Sequence, residues 1–144
     1  MSAIKTYEIK FFAEAGNIRK ACNEIEDVLK LWKIEASLIL DIIVSIDEAL
    51  TNIVMHAFNG IQDNNHELKV VLIEVVLTKN VIEFILKDKG IEFDFKNIPK
   101  PDVVKNINEG KVGGYGVFLI RSLMDSVDVF KQDKYNVMVL GKKL

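Results

Sequence analysis

Three groups of residues in this 144-residue chain have types and spacings that could do chemistry. The first is Glu48, Asn52 and His56, a carboxylate, an amide and an imidazole recurring every fourth residue within Ser45–Phe58. On an α-helix, residues four apart stack one turn above each other. Such a face could serve a metal and a phosphate, or could equally be a solvated surface. The second group is Asp88-Lys89-Gly90, where a glycine allows close backbone approach and the carboxylate beside it accepts hydrogen bonds. The third is Gly110-Lys111-Val112-Gly113-Gly114-Tyr115-Gly116, a glycine-rich run opening an apolar helix. Backbone amides at a helix start suit phosphate oxygens, and the helix dipole favours negative charge there. A phosphate-cradling loop, an acceptor and a metal-capable helix face together describe a nucleotide site. Taken singly, each has a blander explanation: a wet helix face, a turn after a strand, a flexible loop. No Gly-x-x-x-x-Gly-Lys-Ser/Thr occurs, which excludes a P-loop, and the glycine run does not follow a strand in a βαβ unit, which disfavours a dinucleotide fold.

The elements that must position these groups follow from periodicity. Ile4–Phe12 alternates loosely and predicts a strand. Asn17 is a plausible N-cap for a helix carrying Ile18, Ala21, Cys22, Ile25, Val28, Leu29 and Trp32 at i, i+3, i+4, i+7 spacing, so Cys22 and Trp32 read as core. After a break at Lys33–Glu35, a second helix is expected from Ala36 to Phe58, stopped by Asn59-Gly60. Its apolar positions, Ile39, Ile42, Ile43, Ile46, Ala49, Leu50, Ile53 and Ala57, fall within ~60° of one direction, and Glu48, Asn52 and His56 at ~200° to ~280°, nearly opposite. A polar loop, Ile61–Glu67, leads to Leu68–Thr78 and Val81–Lys87, apolar strands joined by a tight Lys79-Asn80 turn. Asn97–Asn108, with Pro99 and Pro101, reads as an irregular, mobile lid. A helix Val117–Met124 and a hairpin of Ser126–Gln132 with Tyr135–Leu140 close the chain. The order β-α-α-β-β-loop-α-β-β predicts an α+β two-layer sandwich, with helices on one face of a mixed, mostly antiparallel sheet.

Composition narrows the function classes. Residues 1–144 fit one domain, with 49% hydrophobic and 28% charged residues, as in a soluble globular protein. Lys plus Arg number 19 against 21 Asp plus Glu, so no basic patch for nucleic acid follows. Cys22 is the sole cysteine and cannot form an internal disulfide, which agrees with a reducing cytoplasm. The N-terminus lacks the apolar core of a secretory signal, and no apolar run approaches the ~20 residues of a membrane span, so a cytoplasmic location is expected.

The three groups, in this order, resemble a known family. Glu48-Ala49-x-Thr51-Asn52-x-x-x-His56-Ala57 resembles the N-box of the GHKL ATPases, whose Bergerat fold is shared by gyrase, MutL and histidine kinases. Asp88-x-Gly90-x-x-Phe93-Asp94 resembles the first glycine box. Gly113-Gly114-Tyr115-Gly116-Val117-x-Leu119-Ile120-Arg121-x-Leu123-Met124-Asp125 resembles the second, in the wording of bacterial anti-sigma factor serine kinases of the RsbW-like kind. The ending Asn136-Val137-Met138-Val139-Leu140-x-Lys142 is similar to that family's last strand. The resemblance implies ATP and Mg²⁺ as cofactors. Asn52 would hold Mg²⁺, Glu48 would be general base on an incoming hydroxyl, and Asp88 would accept from the adenine amino group, with Gly90 giving the base room. Gly114 and Gly116 would let the lid wrap the phosphates, with Gly113, Tyr115 and Val117 in the same box, Phe93 in the first, and His56 where the N-box helix nears the phosphates.

The implied function is an ATP-dependent protein serine/threonine kinase acting as an anti-sigma factor. It would hold a sigma factor, phosphorylate a STAS-domain anti-anti-sigma protein, and form a homodimer. Departures from the pattern exist. The first box has no second glycine directly after Gly90, Val112 stands where some relatives carry an arginine, and Lys134-Tyr135 replaces the usual Gly-Thr before the final strand. Val112 leaves open a nucleotide-gated binding module without phosphate transfer. A GHKL ATPase using water, or a detached histidine-kinase half, is the third reading.

Overall fold

Alternation and helical periodicity resolve into two layers. The computed structural model describes residues 4–57, 69–90 and 116–144, with residues 56 and 57 described by backbone alone. Strand β1 (Lys5–Phe12) leads into helices α1 (Ala15–Leu31) and α2 (Ala36–Asn52), the latter running on as a π-helical turn, Ile53–Ala57. Strands β2 (Val70–Leu77) and β3 (Val81–Asp88), helix α3 (Gly116–Leu123), and strands β4 (Ser126–Gln132) and β5 (Tyr135–Lys143) complete the order. The sheet runs β1-β2-β3-β5-β4.

Among the described residues all four ladders are antiparallel, so the mostly antiparallel sheet expected is seen and no parallel pair accompanies it there. Two of the four, β2–β3 and β4–β5, are hairpins, and the β1–β2 ladder closes around the two long helices. The β3–β5 ladder sets Ile82, Phe84, Leu86 and Asp88 opposite Lys142, Leu140, Met138 and Asn136. Because side chains alternate along a strand, these eight share one face. Phe84, Leu86, Ile82 and Leu140 on that face are fully buried, together with Val71 and Val75 of β2.

The helices cover this face. The stripes of α1 and α2 enter the core largely as their spacing predicts: Ile18, Ala21, Cys22, Ile25, Val28 and Leu29 from α1, and Ile39, Ile42, Ile46, Ala49 and Leu50 from α2. Trp32, expected in the core, is only partly buried and packs against its edge. Helix α2 is the centre of its layer, packed against both α1 and α3. The buried Ser45 within it is satisfied locally, its Oγ donating to the Asp41 carbonyl at 2.9 Å.

Two helix ends differ from expectation. Helix α1 starts at Ala15, before Asn17, whose amide Nδ2 donates instead to the Phe12 carbonyl at 3.0 Å and ties the helix start to the end of β1. The other change is the π turn, where a single α-helix to Phe58 was expected. Ile53 stays buried while Met55 is exposed. A π turn holds more residues than an α turn, so spacing by four no longer returns to the same face beyond Asn52.

Lys142 ties the layers together at the far end of β5. Its nearly buried ammonium lies 3.2 Å from Asp41 Oδ2 on α2 and donates to the Leu123 carbonyl at the end of α3. A cation there complements the negative end of the α3 dipole.

Candidate functional site

Helix α2 delivers Glu48 and Asn52 one turn apart. Both are half-buried rather than solvated, since this side of the helix faces α3. Glu48 lies at the first residue of α3: a Cβ built on Gly116 would sit 2.5 Å from its Oε2 and 3.4 Å from its Cδ. A residue with a side chain at 116 would therefore displace the carboxylate. The N-terminus of a helix is the positive end of its dipole, which favours an anionic group beside it.

Asn52 carries the sharper signal. Its Nδ2 is buried with no hydrogen-bond partner among the described residues. Leaving such a donor unpaired costs about 1–3 kcal/mol, so the site calls for an acceptor that the described residues do not supply. Among the described residues no group of three or more His, Cys, Asp or Glu could cage a metal. One amide oxygen with a carboxylate a turn away suits Mg²⁺, which keeps waters and takes its other ligands from substrate phosphates. The residues present fit such an ion only when a phosphate-bearing ligand accompanies it.

The third component closes β3. Asp88 is buried, and its Oδ1 accepts from the Gly90 N–H at 2.9 Å and from Asn136 Nδ2 at 3.0 Å. Asn136 Nδ2 also donates to the Gly90 carbonyl at 2.9 Å, tying the end of β3 and the residues after it to β5. Burial pushes the Asp88 carboxyl above its ordinary range, and the two bonds to Oδ1 pull it part of the way back. With both bonds on Oδ1, Oδ2 has no recorded partner among the described residues. Outside this pocket edge, Lys89 Nζ stands 4.9 Å from the centre of the Tyr135 ring, a cation–π contact.

The sequence-predicted residues thus fall into sets. Glu48 and Gly116 are in contact, Asn52 lies a turn beyond Glu48, and Asp88 and Gly90 are joined by a hydrogen bond. Val117 lies in the core, so its backbone alone could meet a ligand. Phe93, Gly113, Gly114, Tyr115 and the expected lid Asn97–Asn108 lie outside the described residues, as does the side chain of His56. Asn136 escaped the sequence reading as a site residue. Its signal was a lone amide heading an apolar strand, but only the β3–β5 register sets it opposite Asp88.

Residues 11–142 match the histidine kinase-like ATPase domain family. The chain belongs to that family. Among proteins similar to it, the serine-protein kinase RsbW of Staphylococcus aureus is 35% identical over 93 residues, covering 62% of this chain and 56% of the relative. The aligned part is thus little more than half of that kinase's length. Among solved structures, the RsbU and RsbW domains of Rv1364c from Mycobacterium tuberculosis superpose with a TM-score of 0.68 at 14% identity, over 97% of this chain and 32% of that one. The SiaB–SiaC complex from Pseudomonas aeruginosa gives 0.61 at 14% identity, over 99% and 91%. At these identities the two structures speak for the histidine kinase-like fold alone.

Proposed function

We propose that residues 1–144 form one ATP-binding domain of a protein serine/threonine kinase that acts as an anti-sigma factor. The observation that carries this reading is the buried Asn52 Nδ2, a donor without a partner among the described residues and so suited to a phosphate oxygen, one helical turn from a Glu48 carboxylate seated at the start of α3. With Asn52 Oδ1 as a metal ligand and Glu48 as a base, as the family resemblance implies, these groups and amide donors would suffice for a reaction that depends mainly on positioning and charge neutralisation. The 35% identity to a serine-protein kinase supports transfer to a protein hydroxyl over hydrolysis.

In this reading Asn52 Oδ1 would hold Mg²⁺, which when bound would supply charge neutralisation at the phosphate oxygens. Asp88 Oδ2 accepts from the adenine amino group, and Gly90 leaves room for the ring. Glu48 takes the proton as a serine oxygen of the substrate protein bonds to the γ-phosphorus and the bond to ADP breaks. Gly113, Gly114, Tyr115, Gly116 and the Val117 amide line the phosphates, with His56 and Phe93 at the margins. The partners are a sigma factor and a STAS-domain anti-anti-sigma protein, the kinase works as a homodimer, and the setting is the cytoplasm. Among the described residues no helix is long and apolar enough to cross a membrane.

The test is transfer of labelled γ-phosphate from Mg-ATP to a candidate STAS protein. Glu48→Gln should abolish transfer and leave ATP binding in place. A parent that binds ATP but labels no candidate would favour the nucleotide-gated module, to which Val112 points.

A further inference from the structure

Glu48 is half-buried on the side of α2 that packs against α3, and its carboxylate reaches Gly116, the first residue of that helix. Of its atoms, Oε2 comes nearest to the place a Cβ on residue 116 would take, so the charged end of the side chain lies at the helix start. Lys30 is paired with Glu26 and Lys142 with Asp41, and among the described residues no cation is paired with Glu48. Asn52, one turn on, brings an unpartnered Nδ2 donor and no positive charge. This wall of the site therefore holds a carboxylate that no described cation offsets. The positive end of the α3 dipole draws an anion. Glu48 already supplies one, and a phosphate brought there shares the position with it.

We propose that Glu48 is a specificity-determining residue for the length of the phosphate chain: its charge opposes the terminal phosphate and holds affinity for ATP down relative to ADP. The inference rests on the ATP-site reading above and deepens it. A base that serves a hydroxyl attacking the γ-phosphorus lies within hydrogen-bond reach of it, about 3 Å, and so close to the terminal phosphate oxygens. Like charges at that range disfavour each other, the more so where burial limits screening by water. ADP ends one phosphate short and meets less of the field. In the proposed reaction the same carboxylate becomes neutral as it takes the serine proton. The repulsion is thus felt by bound ATP and fades during transfer, which is the direction that favours turnover over tight binding.

The experiment compares binding of Mg-ATP and Mg-ADP by calorimetry in the full chain, its Glu48→Gln and Glu48→Ala variants, and Asp88→Asn. Thermal melts identify which variants are folded, and alanine decides alone should glutamine fail to fold. Glutamine keeps the length of the side chain without its charge, but its amide can donate to a phosphate oxygen. Alanine removes the charge and adds no donor. Both should bind ATP about tenfold more tightly than the parent, not merely as well, and ADP by no more than about threefold. Folded variants that keep the parental ATP:ADP ratio overturn the proposal. A gain seen with glutamine alone overturns it too, since the new donor would then be responsible. A loss of ATP affinity in both overturns it by showing that the carboxylate serves the metal ion. A parent that binds no ATP, or an Asp88→Asn protein that binds it undiminished, overturns the ATP-site reading and this inference with it.

Discussion

At the scale of single residues, the contact between Glu48 and Gly116 separates function from folding. The atom a new Cβ would meet is the far end of a flexible side chain, so the backbone need not move. Alanine is also a better helix former than glycine by about 0.5–1 kcal/mol. Gly116→Ala should therefore melt no lower than the parent, yet push the carboxylate from its place. Misplacing a reacting group by about 1 Å costs on the order of 100-fold in rate. Phosphotransfer should fall 10- to 100-fold with the melting temperature held or raised, and a fully active Gly116→Ala protein would remove Glu48 from the mechanism. Asp88 permits a second separation. Asparagine there keeps an Oδ1 for the Gly90 and Asn136 donors but replaces the free acceptor with a donor. ATP affinity should drop by at least about 100-fold, because donor then meets donor. Stability should not drop. The folded-state pKa of Asp88 is raised, mainly by burial, so its ionisation costs stability as pH rises from the usual aspartate range through the folded value. Below both values that cost is absent. The difference in melting temperature between Asp88→Asn and the parent should thus favour the variant near pH 7 and shrink towards pH 3. A variant that loses ground as pH rises would contradict that sign. Residue types and spacing singled out Glu48, Asn52 and Asp88 as candidates in the sequence. The partner of Asp88 was not, because a cross-strand neighbour is fixed by register and not by local spacing.

At the scale of elements, periodicity located the helices and strands but not their ends. The end of α1 shows why. Lys33 sits at φ 61, in the left-handed region, and closes a Schellman motif: its N–H meets the Lys30 carbonyl, and the Ile34 N–H meets the Leu29 carbonyl, both at 3.0 Å. Glycine is the usual residue there, and a lysine gives the sequence no stop signal beyond the fading apolar stripe. The left-handed conformation costs a side-chain-bearing residue roughly 1–2 kcal/mol. Glycine removes that strain while adding disorder to the unfolded chain. Lys33→Gly should leave ATP binding alone and raise stability by about 0.5–1 kcal/mol, read by urea denaturation at constant m-value. A loss of stability would mean that the lysine stem contributes packing of its own. The π turn was illegible for another reason. Ile53–Ala57 is an apolar continuation of the helix, and nothing in its composition distinguishes i→i+5 from i→i+4 bonding. The four-residue spacing carried Glu48 and Asn52 correctly and lost its force at the next turn, where His56 lies.

At the scale of the whole molecule, the α+β two-layer architecture was legible because β2 and β3 bury every second residue and the helices carry single apolar stripes. Strand order was not, since no local pattern says that the last strand enters between β3 and β4. That insertion brings β5 under α2 and α3, and Lys142 is the side chain that exploits it. Its ammonium meets Asp41 on α2 and the last carbonyl of α3 at one point. Helix α3 is thereby held at both ends: Lys142 takes its C-terminus, and Glu48 abuts its N-terminus. Lys142→Met keeps most of the stem's packing and removes the charge. Asp41, partly exposed, can turn to water, but the Leu123 carbonyl loses a donor in a largely covered place. The expected loss is about 1–3 kcal/mol, or roughly 2–10 °C in melting temperature for a domain of this size. Because the Glu48 carboxylate meets the other end of the same helix, a tilt of α3 should lower kcat for phosphotransfer while ATP affinity, which the proposed function assigns to Asp88, changes little. A Lys142→Met protein that loses ATP affinity in step with kcat would show instead that the staple holds the sheet end, not the helix.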